Sequence, residues 1–291
     1  MSAAIPVSLC VTTRRCCTST RYRASEDPVA SSNIAITHSE TGVVHAEVVD
    51  AVRISPHFVR LTVAGDDLAG WRHLGFDQWF RLAVPVSDQT RFDNLAGTYD
   101  TAGYLKYLIL PKATRPVIRN YTVRRFRPED GELDIDFVVH GDDGVAGPWA
   151  GSLPLGASVA LIDQGCGYRG IAADWSLLVG DESALPAVAG ILRDMPRDSR
   201  GHALIELPEF GDQQEVDAPE GMSVHWIVRR PEAPIGRTAL EHLRELAFPE
   251  GTVNAFAAGE SKLATGARRH LVNERGVPKS NVTFCGYWRA T

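Results

Sequence analysis

Arg119-Asn120-Tyr121-Thr122-Val123-Arg124, a turn, then Leu133-Asp134-Ile135-Asp136-Phe137-Val138-Val139-His140-Gly141, and on through Gly144 to Trp149: this run of the chain decides the fold. From Leu133 onward apolar residues fall at every second place with aspartates between the first three, the period of a half-buried strand. The strand ends in His-Gly. Gly144-Val145-Ala146-Gly147-Pro148-Trp149 then reads as a glycine-rich turn into a helix, with Pro148 in the first turn, where its missing N–H would have had no partner. Free N–H groups and the positive dipole end at such a start suit a pyrophosphate. Arg119, two residues before Tyr121-Thr122 on the preceding strand, adds a planar cation. One short segment thus offers a phosphate clamp, an aromatic face and a hydroxyl, the parts a flavin dinucleotide requires. An Arg-x-Tyr-Thr string alone is more often a solvated strand than a cofactor site; the order of the pieces carries the reading.

Taken together, the R-x-Y-T-x-R string at Arg119 to Arg124, E-L-D-I-D-F-V-x-H-G at Glu132 to Gly141 and the turn closing on Trp149-Ala150 resemble the siderophore-interacting protein family. Its members are FAD-containing ferric-siderophore reductases related to ferredoxin reductases. The resemblance continues in G-D-E-S-A-L-P-A at Gly180 to Ala187, Gly259-Glu260 and Gly286-Tyr287-Trp288-Arg289, and spans Val43 to Arg289.

A chain of 291 residues is long enough for two domains or one large one, either with a proper core. A net charge of −6 argues against nucleic acid as the main partner, because phosphate-backbone binding needs a basic face. No run of about 18 apolar residues occurs, so no membrane insertion is expected. Five cysteines, three of them (Cys10, Cys16, Cys17) near the start and the others isolated at Cys166 and Cys285, fit a reducing cytoplasm better than a disulfide framework. An iron–sulfur centre needs four clustered thiolates, which this spacing does not supply.

Residues 1–40, rich in Ser, Thr, Ala and Arg without apolar period, read as a disordered extension that lacks the features of a secretory signal. Strand-like runs follow at Val43 to Val49, His57 to Gly65 and Asp77 to Pro85, then a polar stretch from Ser87 to Tyr107 that reads as a loop. With Val117 to Val123, Leu133 to Val139 and Ser158 to Ile162, about six strands make an antiparallel barrel over residues 41–170. After Asp163 the pattern changes. Ser176 to Gly180 is an apolar run of the kind a strand buried on both faces shows, and Leu185, Val188, Ala189 and Leu192 follow at helix spacing. Strand signals recur at Ala203 to Leu207, Val224 to Val228, Val253 to Ala257 and Val282 to Cys285, with helical patterns at Arg237 to Ala247 and Leu263 to Glu274. Residues 171–291 therefore form a parallel α/β sheet whose ligand crevice lies past the carboxyl ends of its strands. Barrel first and open sheet second is the ferredoxin-reductase layout, with flavin on the barrel and NADPH or NADH on the sheet.

The resemblance implies roles position by position. Arg119 pairs with the FAD pyrophosphate or ribityl region, Tyr121 packs on the flavin and Thr122 hydrogen-bonds near its reactive edge; Val138, His140 and Gly141 line the adenine side, Ala146 and Trp149 the phosphates. Asp181, Glu182 and Ser183 sit at a strand end, where they serve the nucleotides or simply cap a helix; Tyr287 and Trp288 cover the flavin or belong to the core. Lys262, Arg268 and Arg269 supply a basic rim for an anionic ferric siderophore, or a solvated helix face. Thr265 stands where the family leads one to expect Lys or Arg, and Asp163-Gln164-Gly165-Cys166-Gly167 where relatives show Gly-Pro-x-Gly. No acid–base pair is required, and no His/Cys/carboxylate cluster with metal spacing occurs. Reduced ferredoxin is the alternative donor: Arg229-Arg230 favour a 2′-phosphate, while Glu206 and Glu209 oppose it.

Overall fold

The computed structural model describes residues 32–34, 42–93, 95, 101–139 and 144–290. The first sheet contains β1 (Val43–Ser55), β2 (Phe58–Ala64), β3 (Trp79–Val84), β4 (Val117–Thr122), β5 (Arg125–Arg127), β6 (Glu132–Val138) and β7 (Ser158–Gly165). All its pairs are antiparallel, in the order β4-β3-β7-β1-β2-β6-β5. β4 pairs with β3 at one edge, Phe80 facing Tyr121 in register, and β5 pairs with β6 at the other. Between them the Arg124 N–H donates to the Asp134 carbonyl at 3.0 Å. The stretch from Arg119 to Arg127 therefore runs from one edge to the other and curls the sheet into a barrel-like layer.

The barrel has seven strands where the sequence suggested six. The extra one is β5, which falls in the stretch read as a turn; its pairing is held by Arg127, whose guanidinium reaches Glu132 at 2.9 Å and Asp134 at 2.7 Å. Part of the stretch read as a polar loop is a helix, α1 (Thr101–Ile109). It escaped detection because Leu105, Leu108 and Ile109 point to water rather than forming one buried stripe. β6 also departs from the half-buried pattern. Leu133, Ile135 and Phe137 fill the barrel core as expected, but Asp134 and Asp136 on the opposite face are buried too, beneath Arg60, Arg124 and Arg127.

After α2 (Ala146–Gly151) and β7, the second sheet is built from β8 (Trp175–Gly180), α3 (Leu185–Asp194), β9 (Arg200–Leu207), β10 (Gly221–Val228), α4 (Arg237–Glu245), β11 (Val253–Glu260), α5 (Ser261–Arg269) and β12 (Val282–Trp288). All its strands are parallel, in the order β10-β9-β8-β11-β12. One face, with Leu177, Val179 and Ala257, is covered by Ala239 and Leu243 of α4 and Leu263 of α5; the other, with Leu178, Ile205 and Phe256, by Val188 and Ile191 of α3. Burial on both faces explains the apolar runs at 177–179 in β8 and 255–258 in β11.

The two sheets share a wall. Phe58 of β2 is fully buried in the cluster under α3. A side chain at Gly190 of α3 would overlap the Phe76 carbonyl, so only glycine lets the helix approach the barrel so closely. The Phe76 N–H donates to Asp194 at 2.5 Å, and the Arg193 guanidinium to the Arg124 carbonyl at 3.1 Å. Among the described residues no helix is long and apolar enough to cross a membrane. Of the segment read as a disordered extension, residues 32–34 are described, and they pair with β12.

Candidate functional site

Arg119 and Tyr121 are two apart on β4 and share one side of the strand. The Tyr121 ring lies 4.3 Å from Phe137 of β6, and Phe137 lies 5.9 Å from Trp149 of α2. A single ring thus separates the arginine strand from the helix, and both meet at one end of the barrel. The Arg119 guanidinium is exposed and donates to the Ile118 carbonyl at 2.8 Å. Burial pushes the Tyr121 phenol well above its ordinary range, so it stays neutral. Thr122 is buried beside it, Val138 is half-buried, and Ala146 is buried at the helix start. The helix packs over the end of β6 at Gly147, where a side chain would sit 3.5 Å from the Val138 carbonyl. His140 and Gly141 lie outside the described residues. An accessible planar cation on the side of β4 that carries Tyr121 fits a flat, anionic dinucleotide, while Thr122, the next residue, is buried on the other side of the strand.

At the sheet, the strand order reverses between β8 and β11, and the crevice belongs at their carboxyl ends. Asp181 occupies that point, fully buried. One of its oxygens accepts from Ser183 N at 2.9 Å and Ser183 Oγ at 2.5 Å, the other from Glu260 N at 2.5 Å. It caps the turn into α3 and ties β8 to β11. Burial raises its carboxyl, and the Glu182 carboxyl is pushed up by burial and by the Asp181 charge beside it. Glu182 pairs with Arg229 at 2.8 Å, and Arg229 lies 3.7 Å from Glu206. Glu206 in turn accepts from Gly236 N at 2.7 Å and Ala239 N at 2.9 Å, completing the start of α4. Arg229 is thereby engaged inside the fold, whereas Arg230 is exposed beside Glu241. The arginine pair read as one 2′-phosphate cue points two ways.

Tyr287 is half-buried against the cluster under α3, the Trp288 carbonyl accepts from Ser261 Oγ at 2.7 Å, and the Trp288 side chain lies beside Asp181 at the switch point. On α5, Lys262 and Arg269 are exposed and seven residues apart, on one face of the helix, with Thr265 between them. Arg268 turns away, its guanidinium 5.0 Å over the Phe284 ring.

Two groups were missed in the sequence. His57, Glu209 and Asp212 bring possible metal-ligand atoms within 4.8 Å of one another, a clustering invisible at a sequence separation of more than 150 residues. Asp212 already accepts from Ser55 Oγ at 2.7 Å, His57 N at 2.8 Å and His57 Nδ1 at 2.7 Å, so the group works as a latch between the barrel and the loop after β9. Asp77 is the other. Buried at the joint, it accepts from Gly167 N at 3.1 Å and Tyr168 N at 2.9 Å, and burial pushes its carboxyl up to about 6. Folding therefore favours its protonated form. Its ionisation withdraws stability as pH rises from about 4 to about 6, in total about 3 kcal/mol. Asp77→Asn, whose amide oxygen still accepts both bonds, is expected to flatten that part of the stability–pH curve, as urea midpoints from pH 4 to 7 would register.

Residues 47–166 match the siderophore-interacting FAD-binding domain, and residues 173–291 match the siderophore-interacting protein domain. The ferric vibriobactin reductase ViuB of Vibrio cholerae is 31% identical over 259 residues, covering 86% of this chain and 92% of its own. The chain belongs to the siderophore-interacting protein family. A siderophore utilization protein from T. fusca has the same fold at 33% identity and a TM-score of 0.72, covering 88% of this chain and 95% of that one. The NADPH-dependent ferric-chelate reductase of Escherichia coli is 27% identical over 246 residues, 82% of this chain and 89% of its own. The ferredoxin reductase of carbazole 1,9a-dioxygenase, at 17% identity, a TM-score of 0.59 and coverage of 87% and 70%, shows the shared ferredoxin-reductase-like architecture. For this family member, the FAD-binding match covers β2 to β7 whole and most of β1, including Arg119, Tyr121 and Trp149.

Proposed function

We propose that this chain is an FAD-dependent ferric-siderophore reductase, taking electrons from NADPH or NADH and delivering them to siderophore-bound Fe(III) as substrate. The observation that carries the reading is the exposed Arg119 guanidinium on the side of β4 that also bears Tyr121, whose ring is linked through Phe137 to Trp149 at the start of α2, within the FAD-binding match. Its named relatives reduce ferric vibriobactin and ferric chelates. Bound FAD accepts a hydride and releases electrons singly, which a one-electron acceptor needs.

The protein's part is placement. Arg119 would hold the diphosphate or ribityl region, Tyr121 would pack on the flavin with the Thr122 hydroxyl near its reactive edge, and Ala146 and Trp149 would meet the phosphates at the start of α2. Lys262 and Arg269 draw an anionic chelate to that face by charge. Siderophore oxygens hold Fe(III) far better than the softer Fe(II), so electron delivery without protein ligation is enough for release. The cysteine usage suits a cytoplasmic setting.

Anaerobic reduction of the FAD-loaded protein with NADPH, with NADH and with reduced ferredoxin, followed by a ferric catecholate, tests the reading. Bleaching of the 450 nm band and its return with Fe(II) trapped by ferrozine is the expected result. Return of colour only with a quinone would assign a different acceptor, and no return with any acceptor would leave a siderophore binder.

A further inference from the structure

Residues 32–34 precede the barrel in sequence yet lie against the far sheet. Ser32 forms an antiparallel bridge with Cys285 of β12, the edge strand. Asn33 donates from its backbone N–H to the Phe284 carbonyl at 3.1 Å. Its carboxamide does what a further peptide unit would do: Nδ2 donates to the Val282 carbonyl at 2.7 Å, and Oδ1 accepts from Phe284 N at 2.8 Å. Three bonds from one residue thus cover the edge groups of β12 at Val282 and Phe284. Ser32 Oγ accepts from Ile34 N at 3.1 Å, which fixes the turn of the segment.

Ile34 then lies on the linker between the sheets. A side chain at Gly167 would come within 2.5 Å of Ile34 Cδ1 and 2.9 Å of Asp77 Oδ2, so the segment and the barrel aspartate together crowd this glycine. Two residues on, Arg169 bonds Thr283 Oγ1 at 3.1 Å, so linker, edge strand and segment form one hydrogen-bonded patch. The same strand leads to Trp288, held by Ser261, and to Ala290, whose N–H reaches Glu260 at 3.2 Å beside the switch-point crevice.

We propose that Ser32–Ile34 is a clasp: it adds itself to the open edge of β12 and, through Ile34 on Gly167, sets the linker, making Asn33 and Ile34 positioning residues for the crevice between the two sheets. Strand addition to an exposed edge supplies main-chain bonds, and alternate side chains supply the selectivity. In this chain the added strand comes from the same molecule and blocks the edge against other partners. The clasp touches neither Arg119 nor Trp149, so the exchange measurements stand apart from the flavin reading, and only the reduction-rate measurement rests on it.

Hydrogen exchange on the full-length protein without FAD tests it. In Asn33→Ala the Phe284 amide is expected to exchange about tenfold faster or more, while barrel amides at Leu61 and Ile135 hold their rates. Asn33→Asp, which keeps the acceptor for Phe284 N, is expected to retain that protection. In Ile34→Ala the acceleration moves to Gly167 and Tyr168. With FAD bound, both alanine variants are expected to lower the rate of flavin reduction by NADPH several-fold at unchanged FAD affinity. Unchanged exchange at Phe284 in Asn33→Ala, or an equal rise at every amide of both sheets, overturns the proposal.

Discussion

Asp136→Ala is expected to lower the unfolding free energy by about 3 kcal/mol, the low end of what breaking a buried ion pair costs. The Asp136 side chain is 0% exposed and accepts from Arg60 Nε at 2.6 Å, Arg60 Nη2 at 2.8 Å and Arg124 Nε at 3.2 Å. Truncation leaves two guanidiniums facing a cavity without their anion. Arg60 and Arg124 retain side-chain exposures of 30% and 16%, so water recovers part of the loss, which is why the low end applies. The damage also crosses between the sheets. Arg124 reaches Gln214 at 3.4 Å, and its carbonyl is bonded by Arg193, so the joint against α3 loosens with the barrel. Asp136→Asn keeps the shape and one acceptor and is expected to cost about half as much. Urea unfolding followed by far-ultraviolet circular dichroism measures both; a loss under about 1 kcal/mol for Asp136→Ala would show that the pair is solvated rather than buried.

Arg119→Ala is expected to weaken FAD binding by about tenfold to a hundredfold. Charge-assisted bonds to phosphate contribute about 1.5–3 kcal/mol, and a planar fork makes two at once. Because Arg119 is exposed, its removal from the protein without FAD is expected to leave the melting temperature almost unchanged. Arg119→Lys keeps the charge without the fork and is expected to fall between the two. Titration of the FAD-free protein with FAD, followed by flavin fluorescence at low and high salt, separates the outcomes. An unchanged Kd in Arg119→Ala would remove this guanidinium from the diphosphate and with it the main support for the site.

Local pattern and long-range contact divided this protein between them. Period-two alternation in Leu133 to Val139 and the unbroken apolar run at Ser176 to Gly180 were enough to call a barrel strand and a doubly covered strand, because each pattern reports only which faces are dry. Alternation could not say that the aspartate face of β6 was dry as well. That depends on Arg60, Arg124 and Arg127, up to 76 residues away in sequence, arriving over it.

The same limit applied to the site. Arg119, Tyr121 and Trp149 were legible as types in order, but their meeting is made by Phe137 between them. Arg229 had the right type and position for a phosphate, and only the fold revealed Glu182 and Glu206 on either side of it. Residue types and their periods, then, determined the two architectures, their order and the chemistry on offer. Which charges are free to meet a ligand and which are spent on one another was decided by the tertiary structure, since a charge's partners are chosen by three-dimensional proximity and burial, and neither is written in the spacing along the chain.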